Sequence, residues 1–131
     1  MLIGEVAKRA GLSKDTIRHY EALGLLHSHP RAAGSREYRD YDETTLERLS
    51  LIAFAKILNF NLKELVEPLD LILSDQVTAE ERSARLLEKA KEVQAAIVQL
   101  KKAYDLLIKV AAYPEKSFVD TILKDMGLWI E

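Results

Sequence analysis

The sequence predicts a mainly α chain: short helices packed around one two-stranded hairpin, then a single long helix. Three observations carry that expectation. Glycines and cap-forming residues cut residues 3–73 into helix-sized pieces. Short apolar stretches around Pro30 and Gly34 interrupt the helical pattern once. From about Thr78 to Ala112 an apolar heptad runs without a break.

Ile3 to Ala10 reads as a short helix, closed by Gly11 because glycine takes the positive φ that ends a helix tightly. Ser13 then caps a second helix, its hydroxyl accepting from the amide of residue 15 or 16, with Asp15 set against the positive end of the dipole. That helix runs to Ala22, and Gly24 stops it. Leu25 to Tyr41 forms the hairpin, a wing. Asp42 caps a third helix in which Leu46, Leu49, Ile52, Ala53 and Ile57 form the expected core stripe. Asn59-Phe60-Asn61 breaks it. Asn61 caps a fourth helix through Leu73, with Leu62, Leu65, Val66 and Leu69 facing inward and Pro68 bending it.

In the long segment Leu86, Ala90, Val93, Ile97, Leu100, Tyr104, Leu107 and Ala111 are spaced 4-3-4-3-4-3-4. A helix of that length spans roughly 50 Å, and no other expected helix is long enough to cover its seam. A lone helix with an open apolar stripe is unstable in water, so a second copy is expected to cover it, in preference to a fold-back bundle. Lys89, Gln94, Lys101 and Ala103 flank the seam without a charge code for either parallel or antiparallel pairing. Residues 113–131 form a tail in which Phe118, Ile122, Leu123 and Met126 share a helical face before Gly127 and Leu128-Trp129-Ile130. Packing back on the dimer as a clasp is its expected role, with an effector pocket or partner surface as the alternative. The expected division is therefore 1–75, 76–112 and 113–131.

Composition narrows the chemistry. The chain has 131 residues, 48% of them hydrophobic, and a formal net charge of −2. No run approaches a membrane span and no secretion signal is evident, so a cytoplasmic protein with no membrane partner is expected. Cysteine is absent, which removes disulfides, thiolate metal ligands and thiol redox sensing. Residues 1–41 hold seven Lys/Arg against five Asp/Glu, and residues 42–131 hold twelve against sixteen. No paired carboxylates, nucleophile triad or phosphate-cradling glycine loop is evident, so neither enzyme activity nor a cofactor is expected. Glu80, Glu81, Glu88 and Glu92 read as the solvated side of a helix.

The first two helices carry the signal for function. A helix-turn-helix needs a small residue where its helices cross, glycine in the turn and a buried branched residue in the second helix. Ala7, Gly11 and Ile17 stand at those places. The expected exposed face of the second helix offers Lys14, Thr16, Arg18, His19 and Tyr20 to phosphates and base edges, and Arg18 is the candidate for bidentate contact with guanine. The hairpin adds Arg31, Arg36, Tyr38 and Arg39, suited to a phosphate backbone, although Glu37 and Asp40 dilute them. His27 and His29 would share a strand face, but with no third ligand nearby, contact with solvent or phosphate is expected over a metal.

These residues bear a resemblance. Ile3 to Leu26, with Thr-Ile-Arg-His-Tyr-Glu at 16–21 and Gly-Leu-Leu at 24–26, resembles the MerR family of transcriptional regulators. Arg31, Tyr38-Arg39, Tyr41, Leu46, Leu49 and Phe60-Asn61-Leu62 follow in family order, and the resemblance extends over residues 2–112. It implies a winged helix-turn-helix DNA-binding domain followed by a long antiparallel coiled-coil dimerisation helix. It further implies a bacterial homodimer that bends and untwists a promoter spacer for RNA polymerase. By position, Arg18 and Thr16 would meet the major groove of the double-stranded operator. Tyr20, Arg31, Tyr38, Arg39 and Lys56 would meet its backbone.

The chain departs from the family pattern in places. The wing is two residues longer between Arg31 and Tyr38, Glu37 replaces a customary glycine, and Asn59 stands where glycine is common. The metal-responsive members use cysteines that this chain lacks, and Phe54 occupies the position of the cysteine in the aldehyde-responsive members. The tail is too short for the ligand domain of the drug-responsive members. A DNA-architectural or recombination accessory protein is the second expectation. A sensor of apolar ligands lined by Tyr104, Phe118 and Trp129 is the third.

Overall fold

Local capping sets the helix boundaries in the computed structural model, which describes residues 1–113 and 115–130; within the tail, Pro114 and Glu131 lie outside the described residues. Helix α1 (Ile3–Ala10) ends on Gly11 at φ 68°, with the Leu12 amide donating to the Ala7 carbonyl. Helix α2 (Lys14–Ala22) starts on Ser13, whose Oγ accepts from the Thr16 amide at 3.0 Å. Gly24, at φ 86°, lets the Leu25 amide return to the Tyr20 carbonyl and turns the chain into the hairpin.

Strands β1 (Ser28–Ala33) and β2 (Arg36–Tyr41) pair antiparallel, with Ser28 opposite Tyr41, Arg31 opposite Tyr38 and Ala33 opposite Arg36. The two-residue loop is Gly34-Ser35, with Gly34 at φ 68°, so the turn falls where a residue without Cβ is available. Helix α3 (Thr44–Ile57) begins where the Asp42 carboxylate accepts from the Thr44 amide at 2.9 Å. Asn59 takes a left-handed φ of 67°, and Asn61 Oδ1 accepts from the Glu64 amide to start a 3-10 turn, Leu62–Leu65. Helix α4 (Val66–Leu73) follows directly. Pro68 lies in its first turn, where no intrahelical donor is needed, so the expected mid-helix bend does not arise.

Two compact units result, Met1–Ala79 and Glu80–Glu131. In the first, α1 packs on α2, α3 and β2, and α3 on the 3-10 turn. Val6, Ile17, Leu25, Leu26, Tyr41 and Ile52 are almost fully enclosed at the centre, with Leu49, Leu65 and Leu69 closing it. Ala7 packs half-buried against that core, Gly11 makes the turn and Ile17 is enclosed, as a helix-turn-helix requires. The α3 stripe differs from expectation. Thr45, Leu49 and Ile52 face inward, but Ala53 is exposed and Ile57 is 81% exposed. Five residues past Ile52 is about 140° round a helix, which points Ile57 to the far side.

Arg48 braces this unit from within. Its Nη1 donates to the Leu25 carbonyl at 3.1 Å and its Nη2 to Asp70 Oδ1 at 2.6 Å, linking α3 to the turn after α2 and to α4.

The second unit is helix α5 (Ala79–Ala112) and helix α6 (Lys116–Asp125). Along the seam Leu86, Ala90, Ile97, Leu100, Tyr104, Leu107 and Ala111 are exposed in the single chain, and Val93 is half-buried. Leu100 and Leu107 reach 69% exposure. Tyr113 stacks on Phe118 with ring centroids 4.6 Å apart, and Gly127, at φ 71°, ends α6 with the Leu128 amide donating to Leu123. Phe118, Ile122 and Leu123 are half-buried, whereas Met126, Leu128, Trp129 and Ile130 are exposed. Among the described residues, no helix is long and apolar enough to cross a membrane.

Candidate nucleic-acid interface

Helix α2 lies between two clefts. One cleft, shared with the wing, is lined by Arg18, Tyr38, Arg39, Glu37, Glu21 and Tyr41, so three of the sequence-predicted contact residues meet there. On the other side His19 of α2 and Leu23 at its C-cap face Lys56 at the end of α3 and residues 60–64, which enter the 3-10 turn and add Lys63. Cations thus flank the helix on both sides, the arrangement expected of a reading helix whose neighbours track a phosphate backbone.

The remaining predicted residues are distributed unevenly. Lys14 is exposed at the start of α2, its side chain lying over Gly4 of α1. Thr16 is half-buried, and its hydroxyl shares a hydrogen bond of 2.8 Å with Ser13 Oγ. Arg31 sits opposite Tyr38 on the wing, and Arg36 beside the loop, both exposed. Tyr20 is a correction: it is only 5% exposed and belongs to the core. Three residues separate it from Ile17, so the two share the inward face of α2, and a freely exposed ring is ruled out.

Sequence reading missed Glu21, and gave Asp15 a part only in the helix dipole. Glu21, at the end of α2, accepts hydrogen bonds from Ser28 Oγ at the root of the wing and from the Tyr41 hydroxyl at 2.6 Å, and Arg39 Nη1 lies 3.9 Å away. Burial alone would raise the pKa of this carboxyl, but the bonds from Ser28 and Tyr41, with Arg39 nearby, hold it below the usual value. The same arrangement pushes the Tyr41 hydroxyl up to about 12, through burial and through donation to Glu21. The wing is thereby bonded to α2 at its base. Asp15 accepts from Arg18 Nη1 at 3.0 Å. Only Glu21's place beside Tyr20 in the Thr-Ile-Arg-His-Tyr-Glu run hinted at its part, because its partners lie 7 and 20 residues away.

His27 Nε2 lies 3.9 Å from Asp70 Oδ1, so its imidazole faces a carboxylate that also accepts from Arg48.

Comparisons with known proteins point the same way. The family model of MerR HTH regulatory proteins matches residues 1–71, more than half of the chain. The HTH-type transcriptional regulator slr0701 of Synechocystis is 34% identical over 110 residues, covering 84% of this chain and 79% of that protein. Among solved structures, the transcription regulator PbrR691 from Ralstonia metallidurans CH34, in complex with lead(II), superposes with TM-score 0.70. The two are 28% identical, with 86% of each chain covered. HiNmlR, a MerR family regulator lacking the sensor domain and bound to promoter DNA, superposes with TM-score 0.55. It is 26% identical, with 96% of this chain and 94% of that one covered.

Proposed function

Because the chain belongs to the MerR family of HTH regulatory proteins and is a transcriptional regulator, we propose that it acts as a homodimer, two copies gripping one promoter spacer and bending it for RNA polymerase. The observation that carries this reading is the cleft between α2 and the wing, where Arg18, Tyr38 and Arg39 converge. Arg18 and Thr16 face the major groove; Lys14, His19, Arg31, Arg36, Tyr38, Arg39 and Lys56 neutralise or hydrogen-bond phosphates.

The seam supports the homodimer. Its 4-3-4-3-4-3-4 spacing reads the same in both directions, so an antiparallel copy sets Leu86 against Ala111, Ala90 against Leu107, Val93 against Tyr104 and Ile97 against Leu100. All eight seam positions are matched in that one register. Such a pairing holds two reading units at a fixed separation, which a promoter with two half-sites requires.

The reading is of a binding protein in a bacterial cytoplasm, associated with the nucleoid, and not of an enzyme. PbrR691 was solved with lead(II), and this chain has no cysteine to offer a soft metal. A purely architectural role is less favoured than regulation, because the DNA bound to HiNmlR is a promoter.

Fluorescence anisotropy on duplexes from the chain's own upstream region tests the proposal, with sedimentation to count copies. Specific binding by a dimer is expected, together with a steep loss of affinity as salt rises. Arg18→Ala abolishes specific binding and leaves the dimer intact. A monomer at micromolar concentration, or an Arg18→Ala variant with unchanged affinity and sequence preference, would overturn it.

A further inference from the structure

The reading helix carries an acid where a polyanion is to be met. Among the described residues of α2, Asp15 is the one exposed carboxylate: Glu21 is turned to Ser28 and Tyr41, while Lys14, Arg18 and His19 share the outer surface. Asp15's side chain is 95% exposed, and it stands in the first turn of the helix, the part that reaches base edges in helix-turn-helix complexes. A bare carboxylate there is repelled by phosphates and weakens binding to every sequence alike.

Asp15 is not bare. Arg18 Nη1 donates to Asp15 Oδ1 at 3.0 Å across one helical turn. In water an exposed pair of this kind adds little to stability, because solvent and salt screen it. On DNA it does more. A guanidinium carries several N–H donors in a fixed plane, so one of them held by Asp15 orients the rest, and the opposite edge remains available to O6 and N7 of a guanine. The second oxygen of Asp15 can only accept. It suits an amino group, as on cytosine or adenine, and opposes thymine O4 or guanine O6.

We propose that Asp15 is a specificity-determining residue, one that aims Arg18 at a guanine and demands an amino-bearing base, cytosine or adenine, at the neighbouring pair. This rests on the reading of α2 as the recognition helix. The acid gives up non-specific attraction and gains discrimination.

Selection from a randomised duplex pool, run with the full-length protein, Asp15→Ala, Asp15→Asn and Arg18→Ala, tests it. Anisotropy at fixed salt follows, on the selected duplex and on a scrambled one, with thermal melts of each variant. For both Asp15 variants the ratio of specific to non-specific affinity is expected to fall about tenfold, with non-specific affinity unchanged or higher. The selected motif should relax at the guanine and at its neighbour. An unchanged motif with Asp15→Ala, while Arg18→Ala relaxes it, overturns the role of Asp15 alone. A motif that Arg18→Ala also leaves unchanged overturns the recognition helix itself. A parallel fall of both affinities with a lowered melting temperature reduces Asp15 to a helix-dipole partner and equally overturns the proposal.

Discussion

Met1–Ala79 and Glu80–Glu131 use apolar side chains in opposite ways. The first unit encloses them: Val6, Ile17, Leu25 and Ile52 lie at its centre with almost no exposed surface. The second displays them, with Leu86, Ile97, Leu100, Tyr104 and Leu107 all open along one stripe of α5. Hydrophobic free energy follows the area withdrawn from water, so the first unit has already realised its stabilisation within one chain and the second has not. A buried core marks a finished domain. An open heptad stripe leaves apolar surface in water, which the proposed second copy would cover.

The largest expected effect breaks the contrast at its weaker side. A charge at the seam, Leu100→Asp, should separate the copies and cost DNA affinity about a hundredfold, as the second grip is lost. Sedimentation and anisotropy would read both, and a dimer that survives the change removes the seam from the interface. Inside the first unit, Ile52→Ala should lower unfolding free energy by about 2–5 kcal/mol, whereas Ile57→Ala on the same helix should stay within about 0.5 kcal/mol. Urea denaturation separates them; equal losses would mean that Ile57 is covered in solution.

The next effect depends on pH. With its pKa raised from the ordinary value near 10 to about 12, Tyr41 donates to Glu21 and contributes stability that is fully present below about pH 10. That contribution is lost as pH climbs through 12. The stability difference between the wild type and Tyr41→Phe should therefore shrink across that window. A constant difference would show that the Tyr41 hydroxyl is not held by Glu21. The smallest effect is local: Ser13→Ala removes the cap that accepts from Thr16 and should cost about 1 kcal/mol, visible as a modest drop in melting temperature.

Features with short-range causes were legible in the sequence. Ser13 caps the helix expected of it, Asp42 accepts from Thr44 one residue ahead of the α3 N-cap Glu43, and Asn61 caps the 3-10 turn that leads into α4. Gly11 and Gly24 end two helices, and Asn59 adopts the left-handed turn in place of a glycine. Each of these depends on residues within a few positions. Errors arose where helical phase or tertiary partners decide. Spacing places Ala53 and Ile57 in the core, yet α3 turns them outward; residue type places Tyr20 in solvent, yet it shares a face with Ile17. Pro68 was expected to bend a helix that in fact begins only two residues before it. In the candidate interface, the cations were visible as composition. The part of Glu21 was not, because it finds Ser28, Tyr41 and Arg39 only once the wing has folded against α2.

The Arg48 brace has a mechanical consequence. By fastening the turn behind α2 to both α3 and α4, it ties three parts of the first unit into one stiff body. In the proposed homodimer, two such bodies pressed against a flexible duplex would leave the duplex to yield. The strain of fitting would then fall on the base-pair steps between them, and sequences that kink cheaply are the ones such a clamp could hold.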